Sequence, residues 1–102
     1  MYGLSGKIIA QSGQREALLK HLLEAAAFLG SLDGCYLYVI SRAVDDPDGI
    51  RVIEVWRSQA DHQASLTYEV VRSIIAAARP LIAGMADSLE FEPVGGKGLP
   101  AS

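Results

Sequence analysis

The sequence predicts an α+β fold, a ferredoxin-like βαββαβ sandwich with helices on one face of a four-stranded antiparallel sheet. Alternating and helical periodicities follow one another in the order strand, helix, strand, strand, helices, strand. A chain of 102 residues, half of them hydrophobic, is long enough for one domain with a core. We therefore predict one domain over residues 1–93 and a tail over residues 94–102, which contain three glycines and a proline.

The first half of the chain has clear element boundaries. Residues 2–11 alternate as a strand, and residues 13–29 place leucine and alanine at helical spacing, with Ser12 as a possible cap. Residues 35–42 are β-rich, and residues 45–49, Asp-Asp-Pro-Asp-Gly, are typical of a turn. The second and third strands are therefore predicted to form a hairpin.

The second half contains a strand that runs directly into a helix. Residues 50–57 alternate and are rich in β-branched side chains, and Ser58 and Asp61 have the spacing of a capping box. A further helical stripe covers residues 70–78. Beyond it, Pro80 is expected to interrupt the helix, Gly84 suits a helix C-terminal cap, and residues 85–92 alternate as the last strand.

The central strands carry apolar side chains on both faces, whereas a sheet with one wet face should alternate apolar and polar residues. A second copy packed sheet on sheet would cover the second face, so we predict a homodimer with a shared β-barrel-like core. In the second strand, one predicted face carries Cys35, Leu37 and Val39, and the other carries Tyr36, Tyr38 and Ile40. In the third strand, one face carries Ile53 and Val55, and the other carries Ile50, Val52 and Trp56. In the last strand, Leu89 and Phe91 are predicted to face inward.

Charge and cysteine content limit the partners. The net charge is −3 and no run of Lys or Arg is present, so neither nucleic acid nor an anionic membrane surface is an expected partner. No stretch approaches the ~18 consecutive apolar residues of a membrane span. Cys35 is the single cysteine, which excludes an intrachain disulfide and favours a reducing compartment, with the cytoplasm as the expectation.

Neither a metal site nor a nucleotide site is predicted. His21 and His62 are far apart in the sequence, and no carboxylate cluster has metal-ligand spacing. The glycine-rich residues 95–98 neither follow a strand nor open a helix, as a phosphate-binding loop would. The expectation is a protein without a cofactor.

Residues 54–62 concentrate the useful chemistry of the chain. Glu54 and Trp56 are two apart on a strand and share a face, and His62 falls in the first turns of the following helix. A carboxylate on an apolar face is rarely buried without a partner, which favours a hydrogen-bonding or catalytic role for Glu54. Trp56 fits equally well as the wall of a pocket or as an ordinary core residue. His62 fits either a functional site or a solvent-exposed position in the first turn of the helix.

These residues resemble the antibiotic-biosynthesis monooxygenase (ABM) family, a branch of the dimeric α/β-barrel proteins. The resemblance rests on residues 54–56 entering a helix at Ser58, on Gly34-Cys35 opening a strand that bears Tyr38, and on the element order. It covers residues 2–93 and implies the same fold.

The resemblance also implies an activity. Family members oxygenate quinols or polycyclic phenols with O2 and without metal, flavin or haem, in a pocket between sheet and helices that the residue matching Trp56 lines. Many members place a histidine further along the second helix, where this chain has Ser65, so His62 is the only nearby imidazole.

An oxygenase of this kind has three chemical requirements. Triplet O2 reacts with singlet organic molecules only across a spin barrier, which enzymes usually overcome with a metal or flavin. Without either, a deprotonated phenol must supply the electrons, so the protein needs a base, an aromatic slot and a donor for negative charge. Glu54 or His62 could be the base. The slot residues would be Trp56, Tyr36 and Tyr38, and Arg72 or Arg79 could face the anion.

Three classes of function remain open from the sequence. The first is a cofactor-independent monooxygenase acting on a small aromatic substrate and O2. The second is a haem-binding or haem-degrading dimeric barrel, in which only His62 could provide the axial ligand. The third is a dimer that binds a small molecule without catalysis.

Overall fold

The computed structural model describes residues 1–100 and confirms the ferredoxin-like α+β fold. The four strands form one antiparallel sheet in the order β2-β3-β1-β4. A single 3-10 turn, Arg79–Leu81, precedes the last strand. The elements are β1 (Tyr2–Ala10), α1 (Arg15–Leu29), β2 (Cys35–Arg42), β3 (Gly49–Trp56), α2 (Gln59–Ser65), α3 (Glu69–Ala78) and β4 (Ile82–Phe91).

The core lies between the sheet and the helices, in two adjoining clusters. One cluster gathers around Ile50, which is fully buried, and Leu18 of α1. The other gathers around Trp56, with Leu29 of α1 and Val71 of α3. Burial of each large apolar side chain contributes roughly 1.5–3 kcal/mol, so these contacts hold α1 and α3 on one face of the sheet.

The predicted hairpin is confirmed, since β2 and β3 pair in antiparallel register on either side of the Asp-Pro turn. Within the turn, Asp46 Oδ1 accepts a hydrogen bond from Asp48 N at 2.9 Å. Its Oδ2 lies 2.9 Å from Lys7 Nζ of β1. The turn is therefore tied to the neighbouring strand, which stabilises the register of the central pair.

The predicted cap at Ser58 is also confirmed. Ser58 Oγ accepts a hydrogen bond from Asp61 N at 3.1 Å, which satisfies one of the free N–H groups at the start of α2. Arg57 Nε donates to Asp61 Oδ2 at 2.8 Å. These contacts anchor the first turn of α2 to the end of β3 and so orient His62, the next residue in the helix.

Two expected caps are wrong. Helix α1 begins at Arg15 without a side-chain cap, because Gly13 adopts a left-handed φ of 76° and Ser12 belongs to the preceding turn. Gly84 lies inside β4 and not at a helix end. The 3-10 turn containing Pro80 leads directly into the strand, which therefore begins at Ile82, three residues earlier than predicted.

Two face assignments are also wrong, and in both cases the reason is a β-bulge. A register shift between Cys35 and Leu37 places Cys35 opposite Trp56, in the core beneath the helices. A second shift in β4, at Asp87 with φ of 55°, reverses the alternation of that strand. Leu89 therefore points away from the helices, and Phe91 lies over Gly3 on that same outer face.

The outer face of the sheet, opposite the helices, is apolar over much of its area. Val39, Ile53 and Leu89 are 41%, 43% and 64% exposed there. A half-exposed apolar face on a four-stranded sheet is a surface that a partner normally covers. The homodimer stays a prediction.

The remainder of the described chain holds little regular structure. Residues 92–100 contain no helix or strand, and residues 101 and 102 of the predicted tail lie outside the described residues. Within residues 1–100, every helix is too short or too polar to cross a membrane.

We expect Gly34→Ala to destabilise the fold by about 1–3 kcal/mol, as overpacking does. A Cβ on Gly34 would lie 2.7 Å from Cγ of Asp61 and would push the first turn of α2 away from β3. The matched control is Gly84→Ala, where a Cβ meets nothing within 4 Å. Urea denaturation compares the two, and equal stability of both variants would contradict the proposed anchoring of α2.

Candidate active site

A cavity of about 320 Å³ opens between the helix-covered face of the sheet and the three helices. We call it the inner cavity. Aliphatic side chains form most of its wall, among them Leu4, Leu22, Leu29, Val71, Ile74 and Met85. Ionisable and polar groups enter it at few places, including Glu54, His62, Tyr38 and Ser65. Small-molecule sites commonly have this composition of apolar walls with a few convergent polar groups.

Glu54 is a buried carboxylate in the middle of this apolar wall. Strand β3 turns it toward the helices, and only 9% of the residue is exposed. Trp56 Nε1 donates a hydrogen bond to Glu54 Oε1 at 3.0 Å, as expected for residues two apart on one strand face. Burial raises the pKa of Glu54 and outweighs the opposing effect of the indole hydrogen bond.

Trp56 lies behind Glu54 and is itself almost completely buried, with 1% exposed. It packs among Leu29, Val71 and Ile74. Trp56 does not line the inner cavity, and it contacts the site through the Glu54 carboxylate that it hydrogen-bonds and through its ring, which lies against His62.

His62 comes from α2 and lies beside Glu54. Its Nε2 is 3.8 Å from Glu54 Oε1, which is longer than a hydrogen bond. The imidazole packs edge-on against the Trp56 ring, with centroids 5.6 Å apart, and its centroid is 5.8 Å from that of Tyr2. Burial lowers the pKa of His62, so the neutral imidazole is the favoured form at neutral pH.

Tyr38 completes the polar end of the inner cavity. It is the cross-strand neighbour of Glu54 in the β2–β3 ladder and lines the cavity with it. Burial, and then the charge of Glu54, raises the pKa of Tyr38 far above its usual value. Its hydroxyl therefore keeps its proton and is available as a hydrogen-bond donor.

Three of the residues predicted for substrate binding lie elsewhere. Tyr36 is half-buried at the β-bulge of β2 and does not line the inner cavity. Arg72 and Arg79 are exposed and line a shallow surface depression along α3. The structure thus brings Glu54 and His62 together with Trp56 and Tyr38, and leaves these three outside.

Two neighbours of His62 are not predicted by the sequence. Tyr2 pairs with Trp56 across the β1–β3 ladder, and Glu90 pairs with Leu4 across β1–β4. Both side chains line a second hollow together with His62. Their positions depend on strand register and on the bulge in β4, so no local pattern in the sequence signals them.

Ser65, at the position where the family resemblance leads one to expect a histidine, lies in the wall of the inner cavity with 1% of the residue exposed. Its Oγ donates to the backbone carbonyl of His62. Across residues 1–100, no group of three His, Cys, Asp or Glu side chains is close enough to hold a metal ion.

We expect Trp56→Phe to destabilise the protein by about 1.5–3 kcal/mol, because a buried carboxylate loses its charge-assisted donor. The same substitution in a Glu54→Gln background should cost less, since the bond then joins neutral groups. Urea denaturation at neutral pH of the four proteins of this cycle measures the coupling. Equal costs in both backgrounds would show that Trp56 acts by packing alone.

Comparison with known proteins identifies relatives of this fold. The family model described as "Antibiotic biosynthesis monooxygenase" matches residues 1–77. A crystal structure from Chloroflexus aurantiacus J-10-fl, provisionally named an antibiotic biosynthesis monooxygenase, is 45% identical, with a TM-score of 0.90 over 97% of this chain and 98% of that chain. No curated protein matches the sequence.

Two more distant structures carry the same provisional name. The protein from Nitrosomonas europaea is 14% identical, with a TM-score of 0.85 over 93% of this chain and 100% of that chain. The protein from Deinococcus radiodurans is 22% identical, with a TM-score of 0.81 over 94% of this chain and 95% of that chain. At these identities the likeness is one of fold alone.

Proposed function

Since this chain belongs to the antibiotic biosynthesis monooxygenase family, we propose that it oxidises a quinol or related phenol with O2, without a metal or organic cofactor. The family supports a monooxygenase-type function, and the substrate and the use of O2 are our proposal. One observation carries it: a Glu54–His62 pair at the polar end of an apolar cavity. We place the activity in the cytoplasm, since a single cysteine favours a reducing compartment.

The inner cavity supports a compact aromatic substrate. Its volume of about 320 Å³ is at the small end of the range of ~300–1,000 Å³ for ligand pockets. The aliphatic wall suits a fused ring system, and the polar end suits one hydroxyl group. The substrate enters as a neutral phenol, because the Glu54 carboxylate would repel a substrate that already carries a negative charge.

The spacing of the two polar groups suits deprotonation of that hydroxyl. Glu54 Oε1 and His62 Nε2, 3.8 Å apart, are too far apart to bond to each other, yet one substrate oxygen can lie within about 3 Å of both. Neutral His62 takes the phenol proton, and the Glu54 carboxylate stabilises the imidazolium that forms. Glu54 is the alternative base, because burial raises the pKa of its carboxyl group and so makes the carboxylate a stronger base.

The phenolate then supplies the electrons for oxygen reduction. One electron passes to O2, and the resulting superoxide and substrate radical combine in a C–O bond, which gives a substrate peroxide. The peroxide anion takes one proton back from the protonated base, and its O–O bond breaks as the ring carbon loses its remaining hydrogen as a proton. One oxygen atom stays as a carbonyl, and the other leaves as hydroxide and forms water with that proton. The Tyr38 hydroxyl, which keeps its proton, donates to the negative oxygen. The aliphatic wall excludes water from the radical step.

The haem-binding alternative places a different demand on His62. An axial ligand must present a free nitrogen to the iron, whereas His62 Nε2 faces the Glu54 carboxylate and the ring lies against Trp56 and Tyr2. This arrangement supports a base and its charge partner over an axial ligand.

We expect kcat/KM for a reduced naphthoquinone to rise with pH, because the base must be unprotonated. If His62 is the base, the inflection lies below its ordinary pKa of 6.5, and if Glu54 is the base it lies above 4.5. His62→Ala or Glu54→Gln, whichever removes the base, should lower kcat by about 10²–10⁴. An oxygen electrode measures the rates, which should persist after treatment with a chelator.

The matched control for this experiment is His21→Ala, which changes the other histidine of the chain, on α1 and outside the inner cavity. It should leave both the rate and the pH profile unchanged. Full activity in both His62→Ala and Glu54→Gln would disprove the proposed role of the pair.

We also propose that the protein is a homodimer in which the outer faces of two sheets pack against each other. The support is the exposed apolar surface of Val39, Ile53 and Leu89 on a face that the helices leave uncovered. Sheets packed in this way bury the two outer faces against each other in a common core. The resulting barrel leaves each inner cavity within its own protomer.

Ile53→Glu should convert the dimer to a monomer, because an unpaired charge buried between sheets is strongly unfavourable. Light scattering should give about twice the chain mass of 10.9 kDa for the wild type and the single-chain mass for the variant. Val70→Glu is the matched control, since Val70 is similarly exposed at 49% but lies on α3. A monomeric wild type would refute the proposed packing.

A further inference from the structure

A second hollow, of about 470 Å³, lies next to the inner cavity at the edge of the sheet. We call it the outer vestibule. Its wall includes Tyr2, Leu89 and Glu90, and it shares Leu4, Ser5, His62 and Ser88 with the inner cavity. The His62 imidazole therefore belongs to both hollows, with Glu54 on its inner side and Glu90 on its outer side.

We propose that Glu90 carries protons between His62 and solvent, as a positioning residue that acts on the reaction through the imidazole. The inference rests on the proposed function, because it concerns the fate of the proton that His62 takes from the substrate. It assigns a role to the outer vestibule and to strand β4, neither of which supplies Glu54 or His62.

The first support is the placement of the two carboxylates around His62. Glu54 is 9% exposed and cannot pass a proton to bulk water, whereas Glu90 is exposed. After burial, the charge of Glu90 is the main influence on His62, and it works against the lowering of the imidazole pKa. A proton that arrives on His62 thus has one carboxylate neighbour with access to solvent.

The other groups around His62 do not offer this route. Tyr2, from β1, has its pKa raised by burial and by the neighbouring Glu90, so it holds its own proton. Asp61, the neighbour in α2, is engaged by Arg57 and Ser58, which lower its pKa. Glu90 of β4 is therefore the acceptor of choice.

The proton steps balance without any further reactant. The substrate O–H bond breaks as an N–H bond forms on His62. The N–H bond at the other ring nitrogen, Nδ1, then breaks as a water molecule in the outer vestibule takes that proton and passes one on to Glu90. An O–H bond forms on Glu90, which releases the proton to bulk solvent. Neutral His62 remains beside the phenolate, which is a stronger reductant than a phenolate that faces an imidazolium. The same route returns a proton to the oxygen that leaves as water.

Glu90→Gln tests the proposal at two levels. The pKa of His62, followed by NMR titration of its ring protons, should fall because the carboxylate no longer stabilises the imidazolium. With a reduced naphthoquinone, kcat should fall about 10-fold at unchanged KM, and added imidazole buffer should restore it by carrying the proton. Glu90→Asp, which keeps the charge, should retain the His62 pKa and part of the rate.

The matched control is Glu92→Gln, which removes the same charge two residues further along the chain, beyond the end of β4, and should change neither quantity. An unchanged His62 pKa in Glu90→Gln, or an unchanged kcat, would overturn the role of Glu90 while oxygen uptake by the wild type upheld the proposed function. Absence of oxygen uptake by the wild type would instead refute the proposed function, and the proton route with it.

Discussion

The hydrogen bond from Trp56 Nε1 to Glu54 Oε1 is the interaction on which the site depends. A carboxylate within an apolar wall is costly unless a donor is supplied, and here the donor is two residues away on the same strand face. Because the indole is buried among core side chains, it holds the carboxylate in one position without occupying the cavity. The hydrophobic core and the polar end of the cavity are therefore built from the same strand.

Strand β3 also determines where the imidazole lies. Ser58 and Asp61 cap α2 immediately after the strand, so the helix starts in a defined orientation and His62 is returned to the face that carries Glu54. The distance of 3.8 Å leaves the two groups adjacent but not joined by a hydrogen bond. Such a pair keeps capacity for a third partner, which is the property that a binding site for a hydroxyl group requires.

The two faces of the sheet differ in what covers them. The helices cover one face and enclose the inner cavity, while the other face exposes Val39, Ile53 and Leu89. A bulge at Asp87 reverses the alternation of β4, so that Glu90 reaches the vestibule beside His62 and Leu89 adds to the outer face. One irregular residue therefore contributes both to the site and to the apolar surface.

The sequence by itself determined the element order, the hairpin, the cap of α2 and the shared face of Glu54 and Trp56, because each follows from residues close together in the chain. Tertiary structure alone decided the rest. The bulges overrode strict alternation at Tyr36 and in β4, and strand register brought Glu90 beside His62 from 28 residues away. Long-range pairing and helix packing are set by the whole core, so no short pattern in the chain encodes them.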